Sequence, residues 1–504
     1  MIELRPATDH VDVLIIGAGI SGIGAAWHLQ DEHPGRSYAI LEGRDAIGGT
    51  WDLFRYPGIR SDSDLHTFGY AFKPWTGDKA IADGDAIRAY VRETAEENGI
   101  DRHIRFGHKA VRAEWSSGQA QWTVEVERTD TGETFTMTAG WLFSACGYYR
   151  YDEGFTPELP GLDRFGGQVI HPQHWPEDLD YAGKRVVVIG SGATAVTLVP
   201  AMTGEAEHVT MLQRSPTYVI PLPSEDVIAN SLRRVLGPRR AHHLTRRKNI
   251  WLQQRTYRLS QRRPKLVRRI IRSVQRGALG RGYDLDTHFT PRYDPWDQRL
   301  CVVPDGDLFR VLREGAASIV TNRIETFTET GIRLESGTEL DADIIITATG
   351  LNLLAFGGMQ FVVDGREIAL PDTLAYKGTM LSGVPNFAFA IGYTNSSWTL
   401  KVNLVCEYFC RLVAHLDARG HDACVPHVDD PDMATQPLLD FSAGYVQRSV
   451  DRFPRQGASA PWQLSMNYAA DIATLRDGTI DDGTLRFLSA RSGSADERFP
   501  ALAA

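Results

Sequence analysis

The residues best placed to do chemistry lie in two glycine-rich turns, each behind an apolar run. The first turn, Gly17-Ala18-Gly19-Ile20-Ser21-Gly22, follows Val13-Leu14-Ile15-Ile16 and opens a helical pattern through Ala25, Ala26 and Leu29. In a GxGxxG turn the first glycine permits the bend, the second lets backbone approach a pyrophosphate, and the third lets helix pack on strand. Phosphate then sits at a helix N-terminus, among free N–H groups at the positive end of the dipole. Glu42 closes the next apolar run, Tyr38-Ala39-Ile40-Leu41, where a carboxylate can accept hydrogen bonds from both ribose hydroxyls. Gly17, Gly19, Ser21, Gly22 and Glu42 together predict a dinucleotide site.

The second turn, Gly190-Ser191-Gly192-Ala193-Thr194-Ala195, follows Arg185-Val186-Val187-Val188-Ile189, and alanine in its third slot still allows close packing. The next run, Val209-Thr210-Met211-Leu212-Gln213, ends in Arg214 and Ser215 instead of an acid. Arginine there does not favour a bare ribose diol but can pair with a 2′-phosphate; a solvated surface cation is the plain alternative. One acid-ended and one arginine-ended unit point to FAD in the first and NADPH in the second, with hydride passing from nicotinamide to flavin.

Each unit reads as strand, turn, helix, strand, which predicts an α/β fold with two Rossmann-like dinucleotide-binding domains. Two further apolar strands, ending in small residues at 142–147 and 344–350, mark where the chain crosses between the domains. The expected division is 1–147 for the first part of the FAD domain and 148–350 for the NADPH domain, with a helical insertion at about 225–290. Residues 351–504 hold the second part of the FAD domain and a C-terminal segment. Gly392-Tyr393-Thr394-Asn395 before Ser396-Ser397-Trp398 predicts a loop entering a helix with Asn395 as its cap, Trp398 lining the pocket or joining the core. The Ser/Ala/Gly-rich tail from Ala490 is expected to pack loosely.

From 227 to 283 there is no Asp or Glu, while Arg and Lys crowd the segment and Leu and Ile interleave at helical spacing. This predicts two or three amphipathic helices. Their cationic face could rest on anionic lipid, or form a solvated cap paired with some of the 63 acidic residues elsewhere. The whole chain, 504 residues with net charge -9, has no electrostatic reason to seek nucleic acid. Cys146, Cys301, Cys406, Cys410 and Cys424 lack zinc-site or CxxC spacing and read as reduced, buried thiols. With no apolar leader and no span of about 18 apolar residues, the expected compartment is the cytoplasm, with membrane contact at most peripheral.

The segment Phe165-Gly166-Gly167-Gln168-Val169-Ile170-His171-Pro172-Gln173-His174-Trp175-Pro176 fits FxGxxxHxxxWP, and by it the chain resembles the type I Baeyer–Villiger monooxygenases. The similarity runs over nearly the whole chain. It is closest to the ethionamide-activating subgroup, through YPGIRSDSD, HPQHWPEDLDY, VIGSGATAVTLVPA, WDQRLC and GYTN. The resemblance implies a flavin-side set of Gly49, Thr50, Trp51, Asp52, Leu53, Arg60, Ser61, Asp62 and Ala110. It also places the catalytic arginine at Arg299, whose guanidinium would stabilise the anionic oxidant and the oxyanion of the ketone adduct. Asp62 would orient that arginine, although by residue type Asp64 serves equally well. His171 and Trp175 read as packed hinge residues that couple domain movement to cofactor use, and Gln298 stands where the family often has a lysine for the 2′-phosphate.

The implied reaction takes an apolar ketone, NADPH, a proton and O2 to an ester or lactone, NADP+ and water, with thioether or thioamide oxidation at the side. Two rivals stay open: an S- or N-oxygenating flavin monooxygenase, and a flavoprotein redox sensor that does not oxygenate. Oligomeric state is not readable from the sequence.

Overall fold

The structure, a computed structural model, describes residues 9–298, 300–439 and 444–489; Arg299 and the tail from Ala490 lie outside them. Strand β1 (Asp9–Ile16), helix α1 (Ile20–Glu32) and strand β2 (Tyr38–Glu42) form the first unit. β1 lies between β2 and the long strand β3 (Thr134–Ser144), parallel to both. Parallel strands covered on both faces need continuous apolar runs, and every residue of β2 is buried. This sheet has nine strands. The chain leaves it after β3 and returns with Gln360–Val363, Arg366–Ile368 and Phe387–Phe389, the last pairing beside the end of β3.

The second unit repeats the pattern with β4 (Arg185–Ile189), α2 (Ala193–Met202) and β5 (His208–Gln213). The acid-free segment then folds into three helices, α3 (Val227–Leu236), α4 (Pro238–Arg262) and α5 (Pro264–Leu279). Pro238 and Pro264 open the second and third, where a missing N–H costs nothing. Strands β6 (Ala317–Thr321) and β7 (Ile344–Thr347) complete a five-stranded parallel sheet in the order β6, β5, β4, β7 and Gln168–Ile170.

The two sheets are joined by a ribbon in which Tyr149–Gly154 pairs antiparallel with Leu351–Leu353. His171 sits on it: Nε2 donates to the Gly350 carbonyl at 3.1 Å, and Nδ1 accepts from the Gln173 amide at 3.2 Å. Burial pulls this imidazole below the usual histidine range. Helix α6 (Trp398–Arg419) packs along α1. Its cap residue is Ser397, not Asn395, which is drawn away to donate to the Met466 carbonyl at 3.0 Å. Among the described residues no helix is long and apolar enough to cross a membrane.

The inner face of α4 is polar and latched to the first sheet's side of the molecule. Buried Arg246 donates to the carbonyls of His66, Thr67 and Gly69 at 3.0, 3.0 and 2.8 Å. Asn249 and Gln253 each donate to the Asp64 carboxylate at 2.8 Å. Burial, with Arg246, His243 and His66 adding repulsion, pushes buried His242 down to about 4. An unfolded chain therefore binds more protons than the native one between the usual histidine value and about 4, and stability falls as pH drops through that window. Between pH 7.5 and 5.0 this histidine alone is expected to remove about 2 kcal/mol. Urea midpoints at the two pH values should show the loss and His242→Leu should flatten it; an equally steep loss in the variant would place its origin elsewhere.

Candidate active site

Both glycine turns open onto one cleft of about 1610 Å³, lined from both sheets. That exceeds the roughly 300–1,000 Å³ of a pocket for one small ligand. At the first turn, Gly17 has φ +104° and a side chain there would meet the Ala145 carbonyl oxygen at 2.9 Å, so only glycine makes this bend. A Cβ at Gly19 would meet nothing nearer than 3.6 Å, leaving its backbone open to the cleft. Glu42 lines the cleft at the end of β2, its carboxylate accepting from the Ala18 amide at 2.7 Å and the Arg44 amide at 3.0 Å. Burial pushes Glu42 upward and the two N–H groups oppose it.

Ser21, Gly49, Thr50, Trp51, Arg60, Ser61, Asp62 and Ala110 also line the cleft. Ser21 Oγ accepts from Trp398 Nε1 at 2.9 Å, so α6 starts against the first turn and Trp398 is a cleft residue. Arg60 is clamped by Asp307 at 2.5 and 3.3 Å. Gly22, Asp52, Leu53 and Ala195 do not line it. Gly22 and Ala195 are helix-packing positions, and Leu53 is buried. The Asp52 carboxylate is taken by Arg44 at 2.6 Å and Arg55 at 2.5 Å.

Asp62 and Asp64 sit differently. Asp64 caps the short helix Leu65–Phe68 and accepts from α4, whereas Asp62 faces the cleft. Arg299 lies outside the described residues, while its neighbour Gln298 lines the cleft. Cys301, Cys406, Cys410 and Cys424 are buried as expected. Cys146 is not: it is half-buried in the cleft wall because β3 ends there, and desolvation lifts its thiol to about 11.

At the second turn, Gly190 has φ +145° and a Cβ there would stand 2.3 Å from the Ala348 carbonyl oxygen. A Cβ at Gly192 would meet nothing within 4 Å, and the N-terminus of α2 beyond it carries no side-chain cap. Ser191, Ala193, Thr194, Arg214 and Ser215 line the cleft, with Ser191 Oγ donating to the Ser215 carbonyl at 3.1 Å. Arg323, unnoticed in the sequence, lines it too. It follows strand β6, which runs parallel to β5 with Thr321 beside Gln213, so the chain leaving each strand carries a cation past the same edge. Tyr151 was also missed; its half-buried hydroxyl lies 3.1 Å from Thr50 Oγ1 in the cleft wall.

The family described as flavin-binding monooxygenase-like matches residues 79–360, and an NAD(P)-binding Rossmann-like domain matches 15–76. The FAD-containing monooxygenase EthA of Mycobacterium tuberculosis is 54% identical over 481 residues, 95% of this chain and 98% of that protein. EthA of Mycolicibacterium smegmatis is 52% identical over 486 residues, 96% and 98% of the two chains. The chain belongs to the flavin-binding monooxygenase-like family. An oxidized steroid monooxygenase bound to NADP shares the fold with a TM-score of 0.75 at 22% identity, over 95% of this chain and all of the other.

In this flavin-binding monooxygenase, Arg214→Ala is expected to raise KM for NADPH about tenfold, as for loss of one charge-assisted hydrogen bond, with KM for NADH unchanged. Adding Arg323→Ala should raise the NADPH value further. Steady-state kinetics with both nucleotides decide it, and a parallel rise for NADH would deny the 2′-phosphate role.

Proposed function

We propose that the protein is an FAD- and NADPH-dependent Baeyer–Villiger monooxygenase that converts apolar ketones to esters or lactones and oxidises thioethers at the side. The reading rests above all on one cleft holding two phosphate-binding turns, the first ending in Glu42 and the second in Arg214 with Arg323 beside it. The residues fit the two dinucleotides. Backbone at Gly19 and Gly192 is open to the cleft, and the uncapped N-termini of α1 and α2 supply N–H donors for two pyrophosphates. When bound, reduced FAD activates molecular oxygen.

The chain's own residues bind, orient and shield. Glu42 holds a ribose diol; Arg214 and Arg323 hold a 2′-phosphate. Trp51, Trp398, Tyr148 and Tyr151 give the flavin end of the cleft apolar walls that exclude water. Arg299 is assigned the stabilisation of developing oxyanions and Asp62 its orientation, both through the family resemblance. On this reading 1–147 with 351–504 hold the flavin and 148–350 the nicotinamide nucleotide, while the ribbon at His171 lets the two parts shift. The proposed setting is the cytoplasm, with peripheral membrane contact where apolar substrates partition.

The balanced reaction is ketone, NADPH, H+ and O2 to ester, NADP+ and water. Turnover of a cyclic ketone under 18O2 should place one labelled atom in the lactone per NADPH oxidised, and Arg299→Ala should keep NADPH oxidation while lactone falls to background. Labelled sulfoxide from a thioether with unlabelled, unreacted ketone would favour the S-oxygenating reading. Hydrogen peroxide as sole product would favour a flavoprotein that does not oxygenate.

A further inference from the structure

We propose that the outer face of α3, α4 and α5 is a docking surface for an anionic lipid bilayer, with the helices lying in the headgroup plane. The first observation is where apolar surface is left uncovered. Of the fourteen large apolar side chains that are exposed among the described residues, eleven lie between 227 and 274. Val235 is 81% exposed, Val227 70% and Trp251 60%, values that a solvated helix face has no reason to carry.

The pattern on each helix shows that this surface is separate from the one that holds the fold. On α5, Ile271 is buried and Gln275 donates to the Val219 carbonyl at 2.9 Å, while a second stripe at Leu266, Ile270 and Val274 recurs every fourth residue and faces out. On α4 the polar residues His242, Thr245, Arg246 and Asn249 are buried, while Leu244, Trp251 and Leu259 are exposed. An ordinary surface helix turns its apolar stripe inward and its polar side outward. α4 does the reverse, and among the described residues its outward apolar side chains are left 40–60% exposed.

Charge decides what covers this face. Residues 227–283 hold 17 cations and no acid, leaving the rest of the chain with 37 cations against 63 acids. Ion pairs engage Arg233, Lys248, Arg268 and Arg272, and Arg246 is spent on backbone carbonyls. The other twelve cations form no ion pair among the described residues. A cap neutralised by the chain's own acids would show more pairs. A second copy docking face to face would bring like charges together. Nucleic acid would meet the cations but leave the tryptophan, leucines and valines in water. A bilayer with anionic headgroups satisfies both, taking the apolar stripes at the acyl boundary and the cations among the phosphates. The inference goes beyond the oxygenation reading and does not need it to be right.

The test is co-sedimentation of the full-length, flavin-loaded protein with phosphatidylcholine vesicles, with and without about one-third phosphatidylserine, at low and high salt. Binding that needs phosphatidylserine and weakens at least about tenfold at high salt is expected. The variant Trp251→Glu/Ile270→Glu alters only exposed side chains, so its flavin content and NADPH oxidation should be unchanged while vesicle binding falls about tenfold or more. Sedimentation indifferent to phosphatidylserine, or unaffected in the variant, would overturn the proposal. So would a concentration-dependent dimer of the native protein that the variant abolishes, which would assign the face to a second copy.

Discussion

Gly22→Ala protein is expected to emerge from purification without flavin and to unfold at a lower temperature than the native chain. A Cβ at this position would stand 1.9 Å from the Gly17 carbonyl oxygen and 3.0 Å from its carbon, both backbone atoms that no rotamer change can move. The turn cannot retreat, because Gly17 is itself packed on the Ala145 carbonyl at the end of β3. α1 must therefore lift off the sheet, carrying with it the backbone of Gly19 and the hydroxyl of Ser21, which binds Trp398. Overpacking of this kind costs about 3 kcal/mol. Visible flavin absorbance per chain and the melting temperature are the measurements, with Gly35→Ala as control because nothing lies within 4 Å of its new methyl group. Full flavin occupancy at an unchanged melting temperature would show that the turn does not depend on close helix packing.

The second large effect is expected at Lys401, which no motif singles out. Its ammonium lies 2.9 Å from Asp471, and both side chains are only 5–6% exposed. Tyr393 and Ser465 donate hydroxyls to the same carboxylate at 2.5 and 2.8 Å. Burial pulls Lys401 below the usual lysine range, and Asp471 recovers part of that. Lys401→Met leaves a carboxylate buried beside two hydroxyls with no cation, a loss of about 3–5 kcal/mol. Adding Asp471→Asn removes the stranded charge but keeps an acceptor for Tyr393, so the double variant should regain most of the stability in urea titrations. A single variant within about 1 kcal/mol of the native chain would mean the ion pair is replaceable. Tyr393 lines the cleft, so the pair also fixes a wall of the active site.

What could be read in the sequence was local. The strands, both turns, Glu42 and Arg214 were legible because a Rossmann unit packs its chemistry into about 30 consecutive residues. The helical segment was legible from its spacing. Arg323 was not, because its place depends on β6 pairing with β5 across a hundred residues. Tyr151, Lys401 and the tie from α4 to Asp64 are likewise long-range meetings without a motif. Asn395 failed as a cap for the same reason, since a distant carbonyl competes for its amide. Asp52 matched the flavin-side loop in sequence, yet three arginines converge on it, two of them in contact and Arg88 at 4.0 Å.

The ribbon of Tyr149–Gly154 against Leu351–Leu353 makes the stretch from 155 to 350 an excursion whose departure and return points are neighbours, Gly154 opposite Leu351. A gene can therefore lengthen, shorten or exchange material inside that excursion without disturbing a single strand register in the nine-stranded sheet. The cationic helices sit within it. Material exchanged there must still keep Arg246, Asn249 and Gln253, whose hydrogen bonds tie α4 to residues 64–69 outside the excursion.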